Sequence, residues 1–153
     1  NTIDAAEWVG PYDDAKLKFY EVAKFYYYPG WWEPGPTLSF YVNQSKMDGL
    51  PASYKAALEC AMAEANQRMQ VNYDTKNPIA LGELVGHGVQ LRKFSDDILA
   101  AAKEKTEAKV DQLAEKNPAF KKILGPWQTF RDESYRWFNK SEQGFAEFSF
   151  PGA

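Results

Sequence analysis

The segment Pro29-Gly30-Trp31-Trp32-Glu33-Pro34-Gly35-Pro36 lies between two β-prone runs of the chain, 25–28 and 37–42. Its three prolines fix φ at their positions and make the segment a stiff turn. A rigid, aromatic-walled turn that carries one carboxylate is typical of a small-molecule pocket. The alternative is that the two tryptophans fill the core and Glu33 simply faces solvent. We expect the two flanking runs to be neighbouring strands of one sheet.

A second segment of the same character comes earlier, at Glu7-Trp8-Val9-Gly10-Pro11. It also sets a carboxylate beside a tryptophan in a stretch that Gly and Pro keep out of regular structure. We expect a short strand over 2–6 to end at Glu7. Asp13 is expected to cap a helix that runs to Ala23.

The two glutamates are the best candidates for a site that binds a hard cation. Na⁺ and Ca²⁺ take several oxygen ligands, and Gly/Pro turns expose backbone carbonyls that no ladder uses. A transition metal is disfavoured because the chain has one histidine and one cysteine. Glu7 and Glu33 could instead be the acid and base of a glycoside hydrolase, joined by Asp13 and Asp14. For these two aspartates we favour a role at a helix N-terminus.

Composition excludes several classes of protein. The chain has 153 residues, a net charge of −3 and no block of like charge, so nucleic-acid binding is not expected. No run is long and apolar enough for a membrane span. The single cysteine, Cys60, excludes an internal disulfide and is expected to be a buried structural thiol. His87, between two glycines, is expected on a surface loop.

The rest of the chain is mainly helical by its hydrophobic spacing. The expected elements are a helix over 51–76 that stops or kinks at Asn77-Pro78, a short helical piece over 79–85, a strand over 89–94, a helix from Ser95 to about Lys116, and a helical region from Pro118 that Gly125-Pro126 interrupts. Short strands between long helices predict an α/β fold. Because so few strands cannot satisfy one another, the sheet is expected to be incomplete within this chain.

At this point the residues resemble a known family. The segments 7–14 and 26–36 look like those of the substrate-binding proteins of TRAP transporters. The closest branch binds 2-oxoacids and lactate-like monocarboxylates. Weaker similarity continues through Lys76-Asn77-Pro78 and the ranges 88–92, 117–123 and 130–132.

The resemblance implies a periplasmic receptor with the two-lobed, type II fold of periplasmic binding proteins. Such a receptor is not an enzyme; it closes around a small organic acid and delivers it to membrane permease subunits. A cation, Na⁺ or Ca²⁺, bridges protein and substrate. Carried over to this sequence, Glu7 and Glu33 would ligate the metal through their carboxylates and Trp8 through its backbone carbonyl. Trp8, Trp32 and Glu33 would contact the substrate.

Family members are about twice as long as this chain, which resembles their C-terminal half. By this resemblance, residues 1–143 contribute to both lobes and to the C-terminal helices, and residues 144–153 form a tail. The family's substrate-clamping arginine and a further metal-ligating glutamine lie upstream and have no counterpart here. In this branch the long C-terminal helix can be exchanged between the subunits of a dimer, so the resemblance implies a homodimer through the C-terminal helices.

Two other classes of function stay open on the residues alone. One is the carboxylate-pair glycoside hydrolase. The other is a free-standing protein-interaction module, whose contact surface would be the late apolar stripe. That stripe, either core or interface, consists of Phe120, Ile123, Trp127, Phe130 and Trp137.

Overall fold

A computed structural model of the chain describes residues 2–150. Its contacts divide the chain into two units, one up to Asp96 and one from Asp97 onward. The elements in chain order are α1 (Pro11–Lys16), a 3-10 turn (Phe19–Glu21), β1 (Phe25–Tyr28), α2 (Gln44–Asp48), α3 (Ala52–Gly86), β2 (Gln90–Lys93), α4 (Asp96–Lys116), α5 (Pro118–Phe138) and α6 (Glu142–Ser149).

The first unit contains a two-stranded parallel sheet. Phe25 of β1 lies opposite Gln90 of β2, and Tyr28 lies opposite Lys93. Parallel strands need a long crossover connection, and α3 supplies it. Strands therefore form where predicted at 25–28 and within 89–94, but their pairing with each other was not predicted.

Two other predicted strands, 2–6 and 37–42, are wrong. Neither segment has regular secondary structure. In the second one Leu38, Phe40 and Tyr41 are exposed, and within residues 2–150 no strand pairs with it. β-propensity reflects packing against neighbouring strands, so a β-prone run without a neighbour does not form a strand. The partner of β1 is thus β2 rather than the run that follows the tryptophan turn.

The helix predicted over 13–23 is also wrong in its extent. α1 begins earlier because Pro11 occupies its first turn, where a missing N–H costs nothing. It ends at Lys16, and Lys18 then adopts a left-handed conformation with φ of 56° before the 3-10 turn. Asp13 therefore does not cap the helix. Both aspartates do lie in its first turn, as predicted.

α3 is one continuous helix of 35 residues, so of the stop or kink predicted at Asn77-Pro78 the stop is wrong. It ends in a Schellman motif. Val89 N–H donates to the Leu84 carbonyl at 3.2 Å and Gly88 N–H to the Val85 carbonyl at 2.9 Å. Gly88 has φ of +87°, a conformation that glycine adopts without strain. Leu84 and Val89, the first and last residues of this motif, are both buried.

The second unit is helical throughout its described residues. α4 and α5 form where predicted, although α5 runs without interruption through Gly125-Pro126. Asn117 caps α5, because its side-chain oxygen accepts the N–H groups of Ala119 and Phe120 at 3.1 Å. Part of the tail forms α6, and residues 151–153 lie outside the described range.

Little of the described chain is buried. The buried residues of the range 2–150 are Ala80, Leu84, Val89 and Asp14. Cys60, expected to be a buried thiol, is exposed, as are its neighbours Glu59 and Ala61 on α3, because few residues of the described range are packed against others. None of the helices within 2–150 has the length and apolar character needed to cross a bilayer.

Candidate functional site

The tryptophan turn follows β1 directly and is tightly folded. A Cβ added at Gly30 would lie 2.8 Å from the carbonyl oxygen of Glu33, so only glycine allows the chain to return this closely. The rings of Trp31 and Trp32 pack edge to face, with centroids 5.3 Å apart and planes at 90°. Both rings are about half exposed. The turn therefore presents an aromatic surface beside the exposed Glu33.

Glu7 and Trp8 lie in the irregular segment that precedes α1. Trp8 is about half exposed, and the Glu7 side chain is exposed. The Gly10 carbonyl accepts the Asp14 N–H at 2.9 Å, which joins the end of this segment to the first turn of α1. Backbone carbonyls of the segment lie outside helices and strands, as the cation hypothesis requires.

A side-chain hydrogen bond connects the two segments through their supporting elements. The Tyr26 hydroxyl on β1 donates to Asp14 Oδ2 on α1 at 2.6 Å. Asp14 is 5% exposed, and its Oδ1 atom has no hydrogen-bond partner within the described residues. The carboxylate thus depends on Tyr26 for its side-chain hydrogen bonding.

The pKa values of this pair reflect burial. Loss of solvent around Asp14 raises its pKa, the Tyr26 hydrogen bond lowers it, and the charges of Asp13 and Glu7 raise it further. Burial and the hydrogen bond to Asp14 raise the pKa of Tyr26. Glu7 therefore lies within electrostatic range of Asp14.

α1 is also fixed to α3 by several polar contacts. Gly10 has no side chain to cap α1, and Asn77 supplies the acceptor instead, because its Oδ1 atom takes the Tyr12 N–H at 3.1 Å. The Tyr73 hydroxyl donates to Asp13 Oδ2 at 2.6 Å. The Lys76 ammonium lies 4.9 Å from the centre of the Tyr12 ring.

Tyr12 and the facing residues of α3 also line an open groove of about 540 Å³. Lys16 and Lys76 lower the pKa of Tyr12 by hydrogen bonding to its phenolate form.

The donor set fits a hard cation. Within residues 2–150 neither Glu7 nor Glu33 has a hydrogen-bond or ion-pair partner. Two carboxylates and a turn carbonyl are oxygen donors of the kind that Na⁺ and Ca²⁺ prefer. The same described range contains no group of three or more His, Cys, Asp or Glu side chains arranged to hold a metal. The convergence of Glu7 and Glu33 on one ion stays a prediction.

The other predicted chemical groups lie apart from these segments. His87 follows α3, is about half exposed and stacks on Tyr20 with ring centroids 4.0 Å apart. Tyr26 and Asn77 were not predicted as site residues, and Asp14 entered only as a further carboxylate of the alternative hydrolase site. The sequence does not distinguish Tyr26 from the two tyrosines that follow it. Only the folded structure shows which of the three reaches α1.

Comparison with known proteins gives a consistent result. The model of the DctP family, bacterial extracellular solute-binding protein family 7, matches residues 1–117. A monocarboxylate 2-oxoacid-binding periplasmic protein of Nostoc sp. strain PCC 7120 is 42% identical over 147 residues, which cover 96% of this chain and 40% of that protein. The chain thus spans about two fifths of the length of this relative.

Two solved structures are similar in fold as well. A TRAP transporter solute-binding protein from Bordetella bronchiseptica RB50 matches with a TM-score of 0.94 and 40% identity, over 97% of this chain and 44% of that one. It is described as a dimer with calcium and picolinate in one site and an apo site. A periplasmic TRAP solute-binding protein from Colwellia psychrerythraea, with calcium and pyruvate, matches with a TM-score of 0.90 and 32% identity, over 96% and 45%.

Proposed function

Because the chain belongs to the bacterial extracellular solute-binding protein family 7, we propose that it forms part of the TRAP-type receptor for a small 2-oxo or 2-hydroxy monocarboxylate. The family consists of binding proteins that act outside the cytoplasm, so the chain is not an enzyme. This replaces the two alternatives that the residues alone left open. The substrate class is supported by the 2-oxoacid-binding relative and by the pyruvate-bound structure.

We assign the cation, Ca²⁺ or Na⁺, to Glu7, Trp8 and Glu33. Calcium in both solved relatives favours Ca²⁺. The observation that carries the assignment is a pair of exposed glutamates, each beside a tryptophan in an irregular segment and without a hydrogen-bond or ion-pair partner among residues 2–150. The ion would supply positive charge for the carboxylate of the acid. Trp8, Trp32 and Glu33 would then shape the pocket around the substrate.

By the family resemblance, the substrate-clamping arginine and the further metal-ligating glutamine would lie in the part of the relatives' length that this chain does not span. In the proposed receptor, residues 1–143 contribute to both lobes and to the C-terminal helices, and 144–153 form the tail.

The partners are the TRAP permease subunits and a second copy of the receptor. The homodimer contact is the exposed apolar stripe of α5. Light scattering of the full-length protein should give a dimer; a monomer at high concentration would contradict this contact.

Calorimetry tests the binding site directly. By the full-length protein we mean the polypeptide that carries this chain with the rest of the relatives' length. We expect it to bind pyruvate or lactate in the presence of Ca²⁺ or Na⁺, and less tightly after chelation. Glu33→Gln should lower the affinity at least tenfold, because a neutral amide replaces a charged ligand. The matched control is Glu21→Gln, an exposed glutamate of the 3-10 turn, which should bind like wild type. Undiminished binding by Glu33→Gln would refute the metal role.

A further inference from the structure

α1 is held by two tyrosine–aspartate hydrogen bonds that lead to different elements. Tyr26 of β1 donates to Asp14, and Tyr73 of α3 donates to Asp13, each at 2.6 Å. The two bonds have the same chemistry and join adjacent residues of the same helix. They differ in the element that carries the tyrosine, which is β1 for one bond and α3 for the other. Substitutions at Tyr26 and Tyr73 can therefore be compared directly.

The Tyr26–Asp14 bond joins the two segments that carry the proposed cation ligands. Asp14 lies seven residues after Glu7, and Tyr26 lies seven residues before Glu33. Asp14 is bonded through its backbone to Gly10, at the end of the Glu7 segment. β1 continues from Tyr26 directly into the tryptophan turn that carries Glu33.

Burial makes this bond an effective constraint. Asp14 is the buried charged side chain of the described range, and Tyr26 is the hydrogen-bond partner of its carboxylate. A buried polar group is costly without its partner, so the pair resists separation. The Tyr73–Asp13 bond lies closer to solvent. It is backed by other contacts between α1 and α3, namely Tyr12 N–H with Asn77 and the Tyr12 ring with Lys76.

We propose that Tyr26 and Asp14 are a positioning pair, which fixes the separation of the Glu7 and Glu33 segments and thereby the affinity and size selectivity of the cation site. The inference rests on the proposed function. Groups that orient metal ligands from outside the coordination shell typically change affinity by about 10- to 100-fold when removed. Discrimination between cations depends on cavity size and on how rigidly the ligands are held.

The test compares Tyr26→Phe with Tyr73→Phe in the full-length protein, by calorimetric titration with Ca²⁺ and with Sr²⁺. We expect Tyr26→Phe to weaken Ca²⁺ binding about tenfold and to lower the ratio of Ca²⁺ to Sr²⁺ affinity. Tyr73→Phe should stay within about threefold of wild type for both ions. A purely structural role of Tyr26 would lower stability and leave the ratio unchanged. The melting temperature without cation, measured for each variant, separates these effects.

Substitutions at Asp14 test the same bond from its other side. Asp14→Ala should reproduce the loss of affinity and selectivity. Asp14→Asn should keep both, because its amide oxygen still accepts the Tyr26 hydroxyl. Equal losses in Asp14→Asn and Asp14→Ala would assign the effect to charge and overturn the inference. Equal binding by wild type and Tyr26→Phe would overturn it as well, with the proposed function intact. Absence of cation binding in wild type would overturn both.

Discussion

At the scale of single residues, Gly30 is where the tryptophan turn is most constrained. A methyl group there meets the Glu33 carbonyl at 2.8 Å, whereas one at Gly35 meets nothing within 4 Å. Gly30→Ala therefore forces the turn to shift and should weaken cation binding at least tenfold, while Gly35→Ala in the same turn should bind like wild type. Calorimetry with Ca²⁺ measures both. Wild-type affinity in Gly30→Ala would show that the turn does not set the position of Glu33.

Asp14 gives a prediction for the pH dependence of stability. Its pKa is raised in the folded protein above the ordinary value of 3.8, mainly by burial. The folded state therefore binds the proton more tightly than the unfolded state, and the free energy of unfolding decreases as pH rises between these two pKa values. The Asp14→Asn variant lacks this titrating group. Its free energy of unfolding should therefore rise relative to that of wild type as pH increases between the two pKa values. Urea unfolding from pH 4 to pH 7 measures the difference; a constant difference would contradict the raised pKa.

Residue types suggested the proposed ligands and not the residues that support them. Glu7, Trp8, Trp32 and Glu33 stand out because acids and tryptophans in Gly/Pro segments have few structural explanations. Asp14 and Tyr26 look ordinary in sequence, as a helix-terminal acid and a strand tyrosine. Their contact depends on how α1 packs beside β1, which no local pattern encodes.

At the scale of elements, two glycines at the C-terminus of α3 differ in backbone conformation, so alanine should have opposite effects on stability at the two positions. Gly88 has a positive φ and open space around it, so Gly88→Ala should lower the free energy of unfolding by about 1 kcal/mol through backbone strain alone. Gly86 is helical with equally open space, so Gly86→Ala should raise it by up to about 1 kcal/mol. Urea unfolding of both variants measures the difference. A gain in both would argue against the left-handed conformation of Gly88.

Most helices were predictable from sequence because they satisfy their own hydrogen bonds, whereas a β-prone run forms a strand only where a partner strand lies beside it. α4 and α5 follow from hydrophobic spacing and, for α5, from Pro118 in its first turn. The run at 37–42 has strand-forming residues and no strand beside it in the described chain. α3 continues through Pro78, although proline normally ends a helix, while the preceding Asn77 bonds to α1.

At the scale of the whole molecule, the large accessible surface is what we expect of a chain that spans only part of its relatives' length. The accessible surface is 13044 Å², against roughly 7,900 Å² for a typical folded monomer of 17.4 kDa. Large apolar side chains such as Phe40, Trp127 and Phe130 are exposed. The sequence predicted this shortage of partners from its few strands, and the chain spans about two fifths of its Nostoc relative.

The 153-residue chain alone should therefore bind its ligands poorly. It carries the proposed cation ligands but not the arginine and glutamine that the family resemblance assigns to the rest of the cleft. Calorimetry with Ca²⁺ and pyruvate should show no saturation at concentrations that saturate the full-length protein. Micromolar affinity of the chain alone would show that its own residues form a sufficient site.

The most direct test of the central claim is a crystal structure of the full-length protein with Ca²⁺ and pyruvate. We predict that one carboxylate oxygen of Glu7, one of Glu33 and the Trp8 carbonyl oxygen each lie about 2.3–2.6 Å from a single ion that also contacts the acid. An ion reached by only one of the two glutamates, or bound away from both tryptophan segments, would contradict it.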